Sequence, residues 1–178
     1  MLADLCALLL RFRIQEVAVV ADIEKALLQV GLQEKDRDVT RFLWLKNSND
    51  PITKENIEIY RFTRIPFGII SSQFILSGII IHHLNNNNEN LKKIAKDLYV
   101  DNLITGRKNG AEAIQLYEDA KERFKEMSMN LREWASNSNE VRKAFQEEDS
   151  YKDKELKVLG LMWNIDADEL TIPTVCLY

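Results

Sequence analysis

Val17-Ala18-Val19-Val20-Ala21-Asp22 sets the centre of the expected fold. Five small or β-branched apolar residues run without a polar break and stop at a carboxylate. A continuous apolar run of this length reads as a central strand, buried rather than half-exposed. A second stretch, Leu98-Tyr99-Val100-Asp101-Asn102-Leu103-Ile104, reads as strand, turn, strand. Asp and Asn tolerate positive φ, so Asp101-Asn102 predicts a two-residue hairpin turn.

Residues 2–12 predict an amphipathic helix before the first strand. Ile23–Val30 has helical composition and leads into a charged loop, Gln33–Asp38. Arg41–Leu45 and Ile57–Thr63 predict two strands around the turn-rich Asn47–Thr53. Pro66-Phe67-Gly68 breaks the chain, and Ile69–Leu84 predicts a buried helix that stops at the polar run Asn85–Asn90. Residues 110–131 predict a long helix, with Ile114, Tyr117, Phe124, Met127 and Leu131 near helical spacing. Residues 138–155 predict a mobile polar loop with a helical piece. Val158–Asn164 and Leu170–Ile172 predict a last pair of strands. Strands and helices mix without strict alternation. The expected fold is therefore α+β, an antiparallel sheet covered by helices on one face, with a ferredoxin-like split βαβ core. One domain is expected over residues 1–178.

Composition excludes other classes. Of 178 residues, 46% are apolar and 29% charged, an ordinary globular balance. Net charge is −4, which argues against a free-standing nucleic-acid binder but leaves room for one basic face. Cys6 and Cys176 lie near opposite ends with no CxxC or Cys/His cluster, and read as buried or free thiols of a reducing compartment. The apolar run Leu2–Leu10 is too short for a bilayer and contains Asp4, so neither a signal peptide nor a membrane partner is expected. The expected location is intracellular: cytoplasmic or within a virus-like particle, not secreted.

Two carboxylates stand out. Asp22 closes an apolar strand and Asp101 sits at a hairpin tip. Each has a plain reading by itself, Asp22 as a helix N-cap and Asp101 as a turn residue. Together, on adjacent strands, they could hold Mg²⁺, which prefers hard oxygen ligands and keeps waters and substrate phosphates. His82-His83 close a helix with no third ligand nearby and read as a helix end. Trp44, Trp134 and Trp163 read as core or sheet-face residues.

In combination these stretches resemble a known family. Val19-Val20-Ala21-Asp22-Ile23-Glu24-Lys25-Ala26 resembles the first palm motif of reverse transcriptases. Arg64-Ile65-Pro66-Phe67-Gly68 with Ser71-Ser72-Gln73-Phe74 resembles the second. Tyr99-Val100-Asp101-Asn102 resembles their Tyr-x-Asp-Asp hairpin, and Leu159-Gly160-Leu161 the later Leu-Gly motif. The four occur in family order. The first motif and Leu131-Arg132-Glu133-Trp134-Ala135-Ser136-Asn137 look most like the Pao (BEL/Pao) group of LTR retrotransposons.

The resemblance implies the palm of an RNA-directed DNA polymerase, a nucleotidyltransferase from a retrotransposon polyprotein that also directs DNA integration. It implies two Mg²⁺ ions, with Mn²⁺ as a substitute, held by Asp22 and Asp101 and completed by the Ile23 carbonyl. Asn102 stands in the second hairpin Asp position. Leu27, Phe67, Gly68 and Gln73 would line the nucleotide and template pocket, and Tyr99 would touch the primer-template. The implied partners are an RNA or DNA template-primer, deoxynucleoside triphosphates and the remaining polyprotein domains. Fingers, thumb, RNase H and integrase regions are expected outside this stretch. Three departures matter. Asn102 loses a charge, Leu27 replaces an aromatic that screens the sugar, and Glu133 stands near a position often held by Lys. Asn102 also favours a second reading, a catalytically dead relic acting as a nucleic-acid or protein interaction module. A third reading, an unrelated ferredoxin-like binding domain, would leave Asp22 and Asp101 far apart.

Overall fold

A computed structural model describes residues 4–84 and 89–173. Cys176 and Asn85–Asn88 lie outside the described residues. The chain divides into two compact units: residues 4–24 with 77–173, and Lys25–Leu76.

The first unit opens with helix α1, Leu5–Ile14. Asp4 caps it, accepting from the Cys6 and Ala7 backbone N–H groups, and Arg11 and Arg13 sit in the last turn. The cap stabilises the free amides and the arginines complement the helix dipole. The helix therefore begins at the first residue able to cap it and runs two residues beyond the expected end. Strand β1, Val17–Ile23, follows and is buried except at Asp22. Asp22 thus lies within the strand rather than ending it. Its neighbours explain this: β1 pairs antiparallel on both sides, so ladder hydrogen bonds carry the backbone past the carboxylate.

The partners of β1 are β5, Asn102–Arg107, and β6, Leu131–Ser136. With β4, Leu98–Tyr99, they form an antiparallel sheet in the order β4-β5-β1-β6. This is the split βαβ arrangement, with helix α5 (Gly110–Glu126) crossing between β5 and β6. The Ala18 and Val20 face joins Leu8, Phe12, Ile104, Ala135, Val158, Trp163 and Ile165 in one core. Phe12 meets Trp163 edge to face, with centroids 5.1 Å apart.

Several boundaries differ from expectation. The hairpin turn is Val100-Asp101, one residue earlier than expected, because Tyr99 pairs with Asn102. Val100 takes φ +57°, costly for a β-branched residue. Helix α5 ends at Glu126. The reversal uses Ser128 at φ +58°, so Leu131 begins a strand instead of extending the helix. A helix not expected from the polar run, α4 (Glu89–Lys96), precedes β4.

The stretch 138–155 carries a helix, Asn139–Ala144, followed by buried Asp149. Asp149 accepts from the Tyr117 hydroxyl at 3.1 Å and pairs with Lys121 at 2.6 Å. The expected strand Val158–Asn164 is broken into Glu155–Val158 and Leu161–Asn164. Leu159 and Gly160 form the two-residue turn between them, both at positive φ as a type I′ turn requires. A third strand, Glu169–Thr171, completes this small sheet.

The second unit holds a short helix, α2 (Ala26–Gln29), a 3₁₀ segment (Glu34–Thr40) and the hairpin β2 (Arg41–Leu45) with β3 (Ile57–Arg61). Asn56 is buried and sets the long turn, donating to the carbonyls of Asn47 and Pro51 at 3.0 Å each. Trp134 and Trp163 are core residues, whereas Trp44 is 64% exposed on the hairpin. Helix α3, Ser72–Leu84, buries Leu76, Ile80 and Leu84 along one stripe. Before and along it Ile69, Ile70, Phe74, Ile75 and Ile81 are exposed, so it is half-buried rather than buried. Among the described residues no helix is long and apolar enough to cross a membrane.

Candidate active site

The site is built where three strands of the central sheet end together. Asp22 on β1 lies opposite Asn102 on β5 and Arg132 on β6. The β4–β5 turn is tied to the same place, because the Ile23 N–H donates to the Asp101 carbonyl at 2.8 Å. Asp22 and Asp101 are therefore neighbours. The separation required by an unrelated binding domain is not found. Nor does Asp22 cap a helix: the residue preceding Ala26–Gln29 in the cap position is Lys25.

Electrostatics mark the position. Asp22 is half-buried and its pKa is pushed up to about 6. Burial is the largest cause, followed by repulsion from Asp101 and Glu133, with Arg132 opposing and Glu24 adding to the shift. A carboxylate held among other carboxylates in partial burial is a place where a cation relieves the strain.

Asn102 donates its amide Nδ2 to Asp101 Oδ1 at 2.8 Å. The opposite amide orientation would set oxygen against carboxylate, so the NH₂ assignment follows from the chemistry. One oxygen of Asp101 is thereby engaged and the other remains for a ligand. Among the described residues no group of three or more His, Cys, Asp or Glu is arranged to hold a metal. The donor set fits a hard cation carried by two carboxylates, with its remaining positions left to water and substrate oxygens, as Mg²⁺ accepts.

Two further charged residues belong here. Between Val20 and Asp22 the β1–β6 register shifts, and Glu133 takes φ +54°. This bulge releases Trp134 from the ladder to pair with the 149–151 segment, its N–H donating to the Asp149 carbonyl at 2.8 Å. Arg132 lies 3.6 Å from Glu24 and 3.8 Å from Glu133, and its buried Nε has no hydrogen-bond partner among the described residues. The residue types of Arg132 and Glu133 were visible in the sequence. The bulge that brings their charges against Asp22 carried no signal there.

The other expected residues are placed as follows. Ile23 is buried beside Asp22, and Tyr99 is half-buried, its ring packed against the main core. Leu27, Phe67, Gly68 and Gln73 all belong to the second unit. There Leu27 is buried, Phe67 is 69% exposed and Gln73 is exposed. Gly68 adopts φ +86°, a conformation that favours glycine. The Ser72 hydroxyl ties this turn by donating to the Pro66 carbonyl at 3.0 Å. His82 and His83 are exposed at the end of α3, rings edge to face.

No family model and no curated protein sequence matches the chain. Solved structures do. A foamy viral protease–reverse transcriptase in complex with an RNA/DNA hybrid superposes with a TM-score of 0.63 at 14% identity, over 98% of this chain and 19% of that one. The foamy viral protein with double-stranded DNA gives 0.62 at 14% identity, over 98% of this chain and 30% of that one. Another such complex, of the form designated dRH, gives 0.62 at 15% identity, over 96% and 25%. The chain thus spans less than a third of the proteins it resembles. At this identity the likeness is one of architecture, and the chain has a reverse transcriptase-like fold.

Proposed function

We propose that the chain is the palm portion of an RNA-directed DNA polymerase, a reverse transcriptase of a Pao-type retrotransposon, acting by two-metal nucleotidyl transfer. The adjacency of Asp22 and Asp101, at the joined ends of β1 and the β4–β5 hairpin, is the observation that carries this reading. In it, Asp22 and Asp101 hold the ions, and the Ile23 carbonyl adds a ligand. Bound Mg²⁺ or Mn²⁺ would lower the pKa of a primer 3′-hydroxyl and neutralise charge on the triphosphate. The protein's own work is positioning: the sheet fixes both carboxylates relative to one another before substrate arrives. Tyr99 is assigned to the primer-template. Leu27, Phe67, Gly68 and Gln73 are assigned to the nucleotide and template. Template-primer, deoxynucleoside triphosphates and other polyprotein domains are the partners this reading requires.

Primer extension tests it. Joined to the fingers and thumb of a related polymerase, the chain should extend a primer on RNA and DNA templates only with a divalent cation. Asp22→Asn and Asp101→Asn should each abolish extension. Retained extension in either variant removes the carboxylate pair from the chemistry and ends this reading.

A further inference from the structure

Strand β5 leaves the Asp22 end at Asn102 and finishes at Arg107 opposite Val17, about 17 Å away along the sheet. A groove opens there, formed by two contiguous cavities of about 380 and 280 Å³ that share Gln15, Lys93, Gly106 and Arg107. Lys108 lines the larger, and Arg11 and Lys96 the smaller. Five cations therefore face one groove. Three carboxylates, Asp97, Glu112 and Asp119, oppose them.

The arginines are fixed in place. Asp97 is buried and is the hub: its Oδ1 accepts from Arg11 Nε at 3.2 Å and its Oδ2 from the Thr105 hydroxyl at 2.6 Å. Arg107 lies 3.6 Å from the same carboxylate and donates to Thr105 Oγ1 at 2.6 Å and the Gly106 carbonyl at 2.7 Å. Arg11 also donates to the Lys96 carbonyl at 2.8 Å. One carboxylate thus holds two guanidinium groups that would repel each other without it, and it neutralises only one of them. Gly106 allows this arrangement. A Cβ there would lie 2.8 Å from Gln15 Cβ and 3.2 Å from the Arg11 carbonyl, so only glycine lets the last turn of α1 approach β5. Lys93, Lys96 and Lys108 are exposed and have no ion-pair partner among the described residues.

We propose that this groove binds the phosphodiester backbone of a nucleic acid, as a site separate from the Asp22–Asp101 pair. Preset guanidinium groups with mobile lysines beside them suit tetrahedral phosphate oxygens spaced along a strand. No aromatic side chain lines either cavity, so bases have nothing to stack on and binding is independent of sequence. Glu112 and Asp119 reduce the net charge, which keeps the affinity modest and strongly salt-dependent. The choice of nucleic acid among polyanions rests on the function proposed above; the groove itself does not.

The test is fluorescence anisotropy of a labelled DNA duplex of about 20 base pairs with the full chain in EDTA, repeated from about 50 to 200 mM salt. The double variant Lys93→Gln/Lys108→Gln should weaken binding about tenfold and lower the slope of log K against log salt by about 2. Both substitutions are on exposed side chains, and circular dichroism confirms that the variant is folded. Lys143→Gln/Lys157→Gln, on exposed lysines outside the groove, should leave this binding unchanged. Unchanged affinity and slope in the double variant overturn the proposal. So does equal binding of labelled poly-glutamate with the same lysine dependence, which would make the groove a docking site for acidic protein. The two readings separate cleanly. Loss of extension in Asp22→Asn with lysine-independent DNA binding removes the groove alone. Lysine-dependent binding with extension intact in Asp22→Asn removes the catalytic reading alone.

Discussion

The Asn102 side-chain amide donates to Asp101 Oδ1 at 2.8 Å, directly across the strand from Asp22. A neutral donor thus stabilises one carboxylate of the pair without any ion. That contact fixes the hairpin tip and engages one oxygen of the Asp101 carboxylate. Asn102→Asp replaces the donor by a third negative charge. Without divalent cations it should destabilise the fold by about 1–2 kcal/mol through lost hydrogen bonding and like-charge repulsion. With millimolar Mg²⁺ the order should invert, the variant gaining more stability than the parent. Thermal unfolding with and without Mg²⁺ measures both effects. A variant equally destabilised in both conditions would show that the amide position takes no part in holding a cation.

Asp22 sets a pH dependence in the absence of metal. Its folded pKa is raised from 3.8 to about 6, chiefly by burial. Its protonated form is therefore the one the fold favours. The stability this provides is complete below the unfolded value near 3.8 and is lost as pH rises through about 6. Because the side chain is only half-buried, the loss should be about 1 kcal/mol, well short of full conversion of the shift. Urea midpoints in EDTA should show Asp22→Asn stabilising the chain at neutral pH and not at pH about 4. Equal effects at the two pH values would mean that ionisation of Asp22 carries no cost.

Lys121 and Asp149 form a pair at 2.6 Å, with the Asp149 carboxylate almost wholly buried. Tyr117 donates to the same carboxylate at 3.1 Å, and burial pushes the tyrosine pKa up. Lys121→Met should leave a buried, uncompensated charge and cost about 3–5 kcal/mol. Adding Asp149→Asn should recover much of it. Denaturant titration of the single and double variants decides the matter, and a loss under 1 kcal/mol would place Asp149 in a far more polar setting than its burial indicates.

The hairpin of the second unit exposes Leu43 and Ile59, which pair across its strands, and Trp44 beside them. Leu10, Ile14, Ile70 and Phe74 are exposed elsewhere. Apolar surface of this extent drives association. The isolated chain should self-associate at tens of micromolar, and Leu43→Lys with Ile59→Lys should raise the monomer fraction in light scattering. A clean monomer for the parent chain would show that these residues tolerate water singly.

The strand at Val17–Ala21, the hairpin around Asp101, the α5 helix and the α+β class were legible in the residues alone. In each, the signal is local: a run of β-branched residues, a turn pair, a stripe at helical spacing. The sequence also singled out Asp22 and Asp101, because a carboxylate at the end of an apolar run is costly unless something compensates it. Where the elements stop, and what surrounds the two carboxylates, came from pairing and packing across the fold. Pairing on both sides of β1 carried the strand through Asp22, and Tyr99 pairing with Asn102 moved the turn onto Val100, against that residue's own preference. The bulge at Glu133 and the capture of Trp134 by the 149–151 segment involve residues more than a dozen positions apart, and no local pattern encodes them. The basic groove was invisible for the same reason. Its cations come from α1, α4 and the end of β5, and what gathers them is one buried carboxylate, Asp97, and the missing side chain of Gly106. Propensity acts over a few residues along the chain, whereas charge and close packing act through space, so only the folded chain could show which charges meet.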